Sequence, residues 1–157
     1  VFLGAILSEA MMRMVDVPFS KGDFKATLVS LRMKPIERIK SESVLIKFES
    51  PLVVQHHQRD KDWFYSVNSD DFQAQLKTVV DSQLTALYPV GNTNFKLTPV
   101  ESKKTFLRCY EKQIEASVGT YLLTASQDLI TFLLLAGIGS KRSSGFGKFK
   151  ILSQGER

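Results

Sequence analysis

The stretch that most constrains this chain is Gly137-Ile138-Gly139-Ser140-Lys141-Arg142-Ser143-Ser144-Gly145-Phe146-Gly147-Lys148-Phe149. Two Gly-x-Gly pairs bracket a run of cations and serines. Glycine reaches positive φ cheaply and puts no side chain over its amide, so such a loop is expected to bare backbone N–H groups toward one anion. Two familiar phosphate loops do not fit. The dinucleotide fingerprint fails because Arg142 or Lys150 stands where its third glycine belongs, and the P-loop ending fails because Phe149 follows Gly147-Lys148. The order is also reversed, since an apolar helical run, Asp128 to Ala136, precedes the glycines and an alternating segment, Phe146 to Leu152, follows them. A helix C-terminus repels phosphate, so Lys141, Arg142 and Lys148 must supply the attraction.

Upstream, Phe2, Leu3, Ile6, Met11 and Met14 fit an amphipathic helix closing near Val15, and Lys25 to Met33 reads as a strand. Ile36 to Ser43 reads as a polar linker. Val44, Ile46 and Phe48 then alternate as a strand, Ser50-Pro51 interrupts it, and Leu52-Val53-Val54 resumes. Trp63-Phe64-Tyr65 reads as the returning arm of a hairpin. Phe72, Leu76, Val79, Val80, Leu84 and Leu87 share one face of a helix from Asp71 to Tyr88, capped by Ser69 or Asp70. Strand material from Phe95 to Leu123, with a bulge expected at Gly119, leads to a helix over Gln127–Ala136 capped by Ser126. From Ser43 the main elements run strand, helix, strand, strand, helix, strand. That order predicts an α+β, ferredoxin-like (RRM-like) βαββαβ domain over residues 41–157, preceded over 1–40 by the C-terminal part of a second ferredoxin-like domain.

Composition bounds the partners. With 43% hydrophobic residues and 24% charged the chain is globular, and a net charge of +5 suits an acidic macromolecule. Its single cysteine, Cys109, excludes a disulfide scaffold and a cysteine-based metal site and suits a reducing cytoplasm. No apolar run is long enough to span a bilayer, no signal peptide opens the chain, and no membrane role is expected.

The segment Ala136 to Ile151 resembles the C-terminal glycine-rich signature of the CRISPR-associated RAMP superfamily, most closely its repeat-cleaving endoribonucleases. Ser50-Pro51-Leu52-Val53-Val54 is similar to the opening of that family's second ferredoxin-like domain. The resemblance covers roughly Ser43 to Leu152. It implies cleavage of precursor CRISPR RNA without metal or cofactor, the substrate's own 2′-hydroxyl attacking the adjacent phosphate to leave a 2′,3′-cyclic phosphate. Gly137, Gly139, Gly145 and Gly147 would shape the loop, and Lys141, Arg142, Ser143, Ser144 and Lys148 would contact RNA backbone. Repeat RNA is the partner implied, with effector-complex subunits or a second copy as further partners.

The chain departs from the pattern in one respect. The family's usual catalytic histidine lies near the first helix of the first domain, and no counterpart is present. Either an upstream segment carries it, or this is a non-catalytic RNA-binding subunit of a CRISPR effector complex. A ferredoxin-like module binding a small anionic metabolite is a third reading. The general base and acid are unnamed; His56 and His57, the only histidines, are the candidates for acid or base work. Adjacent on a strand, they point to opposite faces and cannot both serve one centre. Trp63, Phe64 and Tyr65 are candidates for base stacking, and Lys103, Lys104 and Arg108 for a wider basic surface.

Overall fold

The computed structural model describes residues 9–32, 35, 38–59, 61–87, 94–109 and 112–155. Two compact units divide at residue 37, the first spanning Val1–Glu37 and the second Arg38–Arg157. Among the described residues no helix is long and apolar enough to cross a membrane.

In the first unit, residues 9–12 are helical, which agrees with the end of the expected helix; its Phe2, Leu3 and Ile6 lie outside the described residues. A hairpin follows, β1 (Pro18–Lys21) against β2 (Phe24–Thr27). Its turn is Gly22-Asp23 with Gly22 at φ 59°, the glycine-first geometry that matches strand twist. The expected strand from Lys25 is thus shorter and begins a residue earlier. Pro18 opens β1, the one strand position where a missing N–H costs little.

The second unit is built on an antiparallel sheet in the order β6-β7-β3-β8. Its strands are β3 (Ser43–Phe48), β6 (Phe95–Cys109), β7 (Lys112–Ala125) and β8 (Phe149–Gln154). The helices α1 (Phe72–Leu87) and α2 (Gln127–Ala136) complete the ferredoxin-like βαββαβ order read from the sequence. A separate hairpin, β4 (Val54–Gln58) with β5 (Lys61–Tyr65), is inserted between β3 and α1.

Alternation in β3 buries Val44, Ile46 and Phe48 and leaves Lys47 exposed on the other face. These residues pack with Phe72, Leu76, Val80 and Leu84 of α1 and Leu129, Ile130 and Leu133 of α2. Leu87's side chain lies outside the described residues. Ser126 caps α2 by accepting a hydrogen bond from the Leu129 amide at 3.3 Å, as expected. Ser69 does not cap α1; its hydroxyl accepts from the Ser66 amide instead.

Three further expectations are corrected. The stretch after residue 37 is not a free linker: Ile39 is buried in the core, and Gln154 and Gln127 hydrogen-bond the backbone of Arg38 and Lys40. The bulge expected at Gly119 lies on the facing strand, where the register slips between Pro99 and Glu101. Gly119, at φ 122°, lets that bulge close up, since a Cβ there would stand 2.1 Å from the Glu101 carbonyl oxygen. Finally, β8 starts at Phe149, not Phe146, because Phe146 to Lys148 belong to the glycine loop.

Candidate nucleic-acid interface

The glycine loop is laced to the segment that follows β3. Beyond Phe48 the chain leaves β3, and Leu52 rejoins the sheet through paired hydrogen bonds with Ser117 of β7, 2.8 and 2.9 Å. The backbone between them receives the loop. Gly147 donates to the Pro51 carbonyl at 2.9 Å, Glu49 and Ser50 donate to the Lys148 carbonyl, and the Lys148 amide donates to the Ser50 hydroxyl at 2.8 Å. Ser140 clips the other side: its amide donates to Val53 at 2.8 Å and its hydroxyl accepts from the Gln55 amide at 3.1 Å. The two stretches that carry the sequence resemblance, Ser50–Val54 and Gly137–Lys148, are therefore one structural object.

The glycines serve close backbone approach more than amide display. Gly137 donates to Leu133 and closes α2, and the Ile138 amide meets the Gly147 carbonyl at 3.0 Å. A Cβ on Gly147 would lie 1.9 Å from the Ile138 carbonyl oxygen, and one on Gly139 would lie 2.5 Å from that of Val53. Only open space surrounds a Cβ on Gly145, which is needed for its φ of 86° alone. The amides of Gly137, Ile138, Ser140, Gly145, Gly147 and Lys148 are all engaged within the chain. The expectation of a loop baring its amides to an anion is corrected: backbone crossing backbone, not ligand approach, requires most of these glycines.

Of the cations, Arg142 turns inward. Its Nε donates to the Gly139 carbonyl at 3.1 Å and its Nη1 reaches the Ala136 carbonyl at 3.5 Å, so the guanidinium covers the carbonyl end of α2. Burial pushes it below its ordinary pKa, with the charge retained. Placed among RNA contacts by the sequence, Arg142 is here committed to the helix end. Lys148 stays exposed but pairs with Glu49 at 3.1 Å. Lys141, in left-handed conformation at φ 57°, has no carboxylate within ion-pair distance among the described residues. It opens the 3-10 turn Arg142–Ser144, on which Ser143 and Ser144 are exposed.

Lys141, Arg142 and Ser143 line an open depression of about 530 Å³ together with Gly139, Ser140 and the α1 residues Val79, Ser82 and Gln83. Gln83, not singled out from the sequence although it interrupts an apolar helix face, is 5% exposed and donates to the Gly137 carbonyl at 2.9 Å. It fixes the loop's first glycine against α1. A buried glutamine beside apolar helix positions was the available signal.

The histidines diverge as strand alternation requires. His57 faces Asp62 across the hairpin, Nδ1 to Oδ1 at 2.8 Å, and His56 stands opposite Trp63. The His57 hydrogen bond, then one from Gln55, holds the Asp62 carboxyl below its ordinary range. Neither histidine lines the depression beside Lys141. Of the three neighbouring aromatics, Phe64 packs with Val53, Ile114 and Ala116, Tyr65 packs on the main core, and Trp63 is exposed. Cys109 packs in the same cluster as Phe64, a small apolar filler. Lys104 lies over the Phe106 ring and 3.6 Å from Glu115. Among the described residues no group of three His, Cys, Asp or Glu side chains is placed to hold a metal.

An antiparallel sheet with a glycine loop between its last helix and last strand defines a ferredoxin-like α+β class. Residues 32–151 match the family described as CRISPR associated protein Cas6, C-terminal, and the chain belongs to that family. It is thus a CRISPR-associated, Cas6-family protein. Its backbone is similar to that of a Cas6-related protein from Pyrococcus furiosus, with TM-score 0.71 and 20% identity over 98% of this chain and 64% of that one. A RAMP protein that binds different RNA substrates gives TM-score 0.68 and 19% identity, over 87% and 59% of the two chains. A CRISPR associated protein Cas6 gives 0.70 and 21%, over 82% and 55%. At such identities the likeness is one of fold, and this chain spans less than two thirds of each neighbour's length. Comparison with curated proteins finds no match.

Proposed function

We propose that this chain binds precursor CRISPR RNA and belongs to a metal-independent endoribonuclease that cuts within the repeats. Residues 41–157 act as its second ferredoxin-like domain and 1–40 as the closing part of a first, working in the cytoplasm. The observation that carries the reading is the union of the family-matching loop with Ser50–Val54, which leaves Lys141 lining a depression with no ion-pair partner among the described residues. In this reading Lys141, Ser143, Ser144 and Lys148 contact RNA phosphates, while Gly137, Gly139, Gly145 and Gly147 shape the loop and Arg142 holds it. The known RNA binding of one structural neighbour supports the choice of ligand.

The reaction proposed is transesterification. The 2′-oxygen attacks phosphorus as a base takes its proton, and the bond to the 5′-oxygen breaks as an acid protonates the leaving group. Charge gathers on the non-bridging phosphate oxygens, where an ammonium such as that of Lys141 is effective. His56 and His57 stand on opposite hairpin faces and do not form an acid–base pair.

The test is incubation of the full-length protein, including any segment that precedes these residues, with repeat RNA in EDTA. A product ending in 2′,3′-cyclic phosphate is expected, and Lys141→Ala should weaken binding and reduce the salt slope by roughly 0.7 if one phosphate contact to single-stranded RNA is lost. Binding without product would support the non-catalytic effector subunit instead. No binding at any salt concentration would overturn both.

A further inference from the structure

We infer that the outer half of the β4–β5 hairpin, with the start of β7, forms a stacking site for one unpaired RNA nucleotide, with Trp63 as its plate; this rests on the RNA-binding reading above. Trp63 is 52% exposed although its neighbours Phe64 and Tyr65 are anchored in the two apolar clusters. Those anchors fix the hairpin's base. An indole half exposed on a strand whose neighbours are anchored binds a flat partner with little loss of side-chain freedom.

The surroundings select the partner. Trp63, Phe64, Lys61, Asp62, Lys112 and Gln113 line a depression of about 530 Å³ between β5 and the first residues of β7. Lys61 precedes Trp63 by two positions and so shares its strand face, and Lys112 approaches from the neighbouring hairpin. Neither lysine is ion-paired among the described residues. Among the described lining residues the carboxylate is Asp62, which His57 meets at 2.8 Å and whose charge Lys112 also feels. An aromatic plate in a depression also lined by two lysines and a glutamine amide fits a base flanked by phosphates. A purely apolar peptide would make no use of the lysines.

Trp63 is the single tryptophan of the 157-residue chain, so its fluorescence reports on this place alone. Three probes suffice: octaadenylate RNA, octauridylate RNA and an octamer of abasic ribose phosphate. Anisotropy of the labelled oligomers gives affinity, and indole quenching gives occupancy. Octaadenylate is expected to quench most and the abasic chain least. Trp63→Ala should lower octaadenylate affinity roughly tenfold, with Trp63→Phe between it and wild type. Lys61→Ala with Lys112→Ala should reduce the salt slope by about 1.4 without removing the preference for bases over abasic chain. RNA that binds by anisotropy without quenching Trp63, with Trp63→Ala unchanged, would overturn the stacking site and leave the RNA-binding reading intact. A shift in sedimenting mass on Trp63→Ala, with unchanged RNA affinity, would assign the indole to a protein contact and also overturn it. Absence of all RNA binding would overturn both.

Discussion

The glycine loop and the β4–β5 hairpin touch each other through Ser140 and Gln55, yet they use their polar groups in opposite ways. In the loop the amides of Gly137, Ile138, Ser140, Ser144, Gly145, Gly147 and Lys148 are engaged internally, the guanidinium of Arg142 caps a helix, and Lys141 and the serines of the 3-10 turn remain at the surface. In the hairpin the backbone completes an ordinary two-stranded ladder, and the side chains beyond its base, Trp63, Lys61 and Arg59 among them, project outward. A glycine-rich segment is thus the stiffer of the two. Richness in glycine signals conformational freedom only where the native contacts leave room, and at Gly139 and Gly147 they leave none.

The largest test of this contrast is Gly147→Ala. A methyl group against the Ile138 carbonyl, at a φ of 75°, should lower stability by about 3 kcal/mol or more in chemical denaturation, while Gly145→Ala, facing open space, should cost about 1 kcal/mol. Equal losses would mean that conformation alone matters at both. Next comes Arg142→Ala, expected to destabilise by about 1–2 kcal/mol through loss of its carbonyl partners at the end of α2. Lys141→Ala should stay within about 0.5 kcal/mol of wild type and affect RNA affinity only. A stability loss at Lys141 matching that at Arg142 would erase the division between holding and contacting residues.

The smallest effect concerns the hairpin. Because the folded Asp62 carboxyl titrates below its ordinary 3.8, its contribution is present above that pH and fades as pH falls through the folded value. The denaturation midpoints of wild type and His57→Ala should therefore differ slightly at pH 6 and converge under strong acid. A gap that widens toward low pH would exclude the His57–Asp62 contact as its source.

Much of the second unit was legible because its apolar periodicity is unambiguous. Val44, Ile46 and Phe48 alternate, and Phe72, Leu76, Val80 and Leu84 repeat at helical spacing, so element order and hence sheet topology followed. The hairpin at Pro18–Thr27 was not, since short exposed strands carry no alternation of buried residues to read. Ile39 escaped notice because a lone apolar residue among charged neighbours looks like a linker until β8 and α2 close over it. The loop was located by its glycines, but their purpose was misread. Sequence reports that positive φ or close approach is needed, and whether the neighbour is a ligand or the chain's own carbonyl depends on Pro51, Val53 and Ile138, residues brought there only by the fold. The Trp63-Phe64-Tyr65 run posed the same problem, because which aromatic faces outward depends on where Val54 and Ile114 lie.

The contact between Ile138 and Gly147 has a consequence for divergence within the family. With Ser140 fastened to β4 and Gly147 fastened to Pro51, residues 141–146 form a short bight whose two ends are already moored side by side. Lengthening that bight, or rewriting it at positions other than Arg142 and Gly145, adds only a small closure entropy and leaves the sheet's register untouched. On the RNA-binding reading proposed above, ligand preference can therefore drift at Lys141, Ser143 and Ser144 while the scaffold beneath is inherited unchanged.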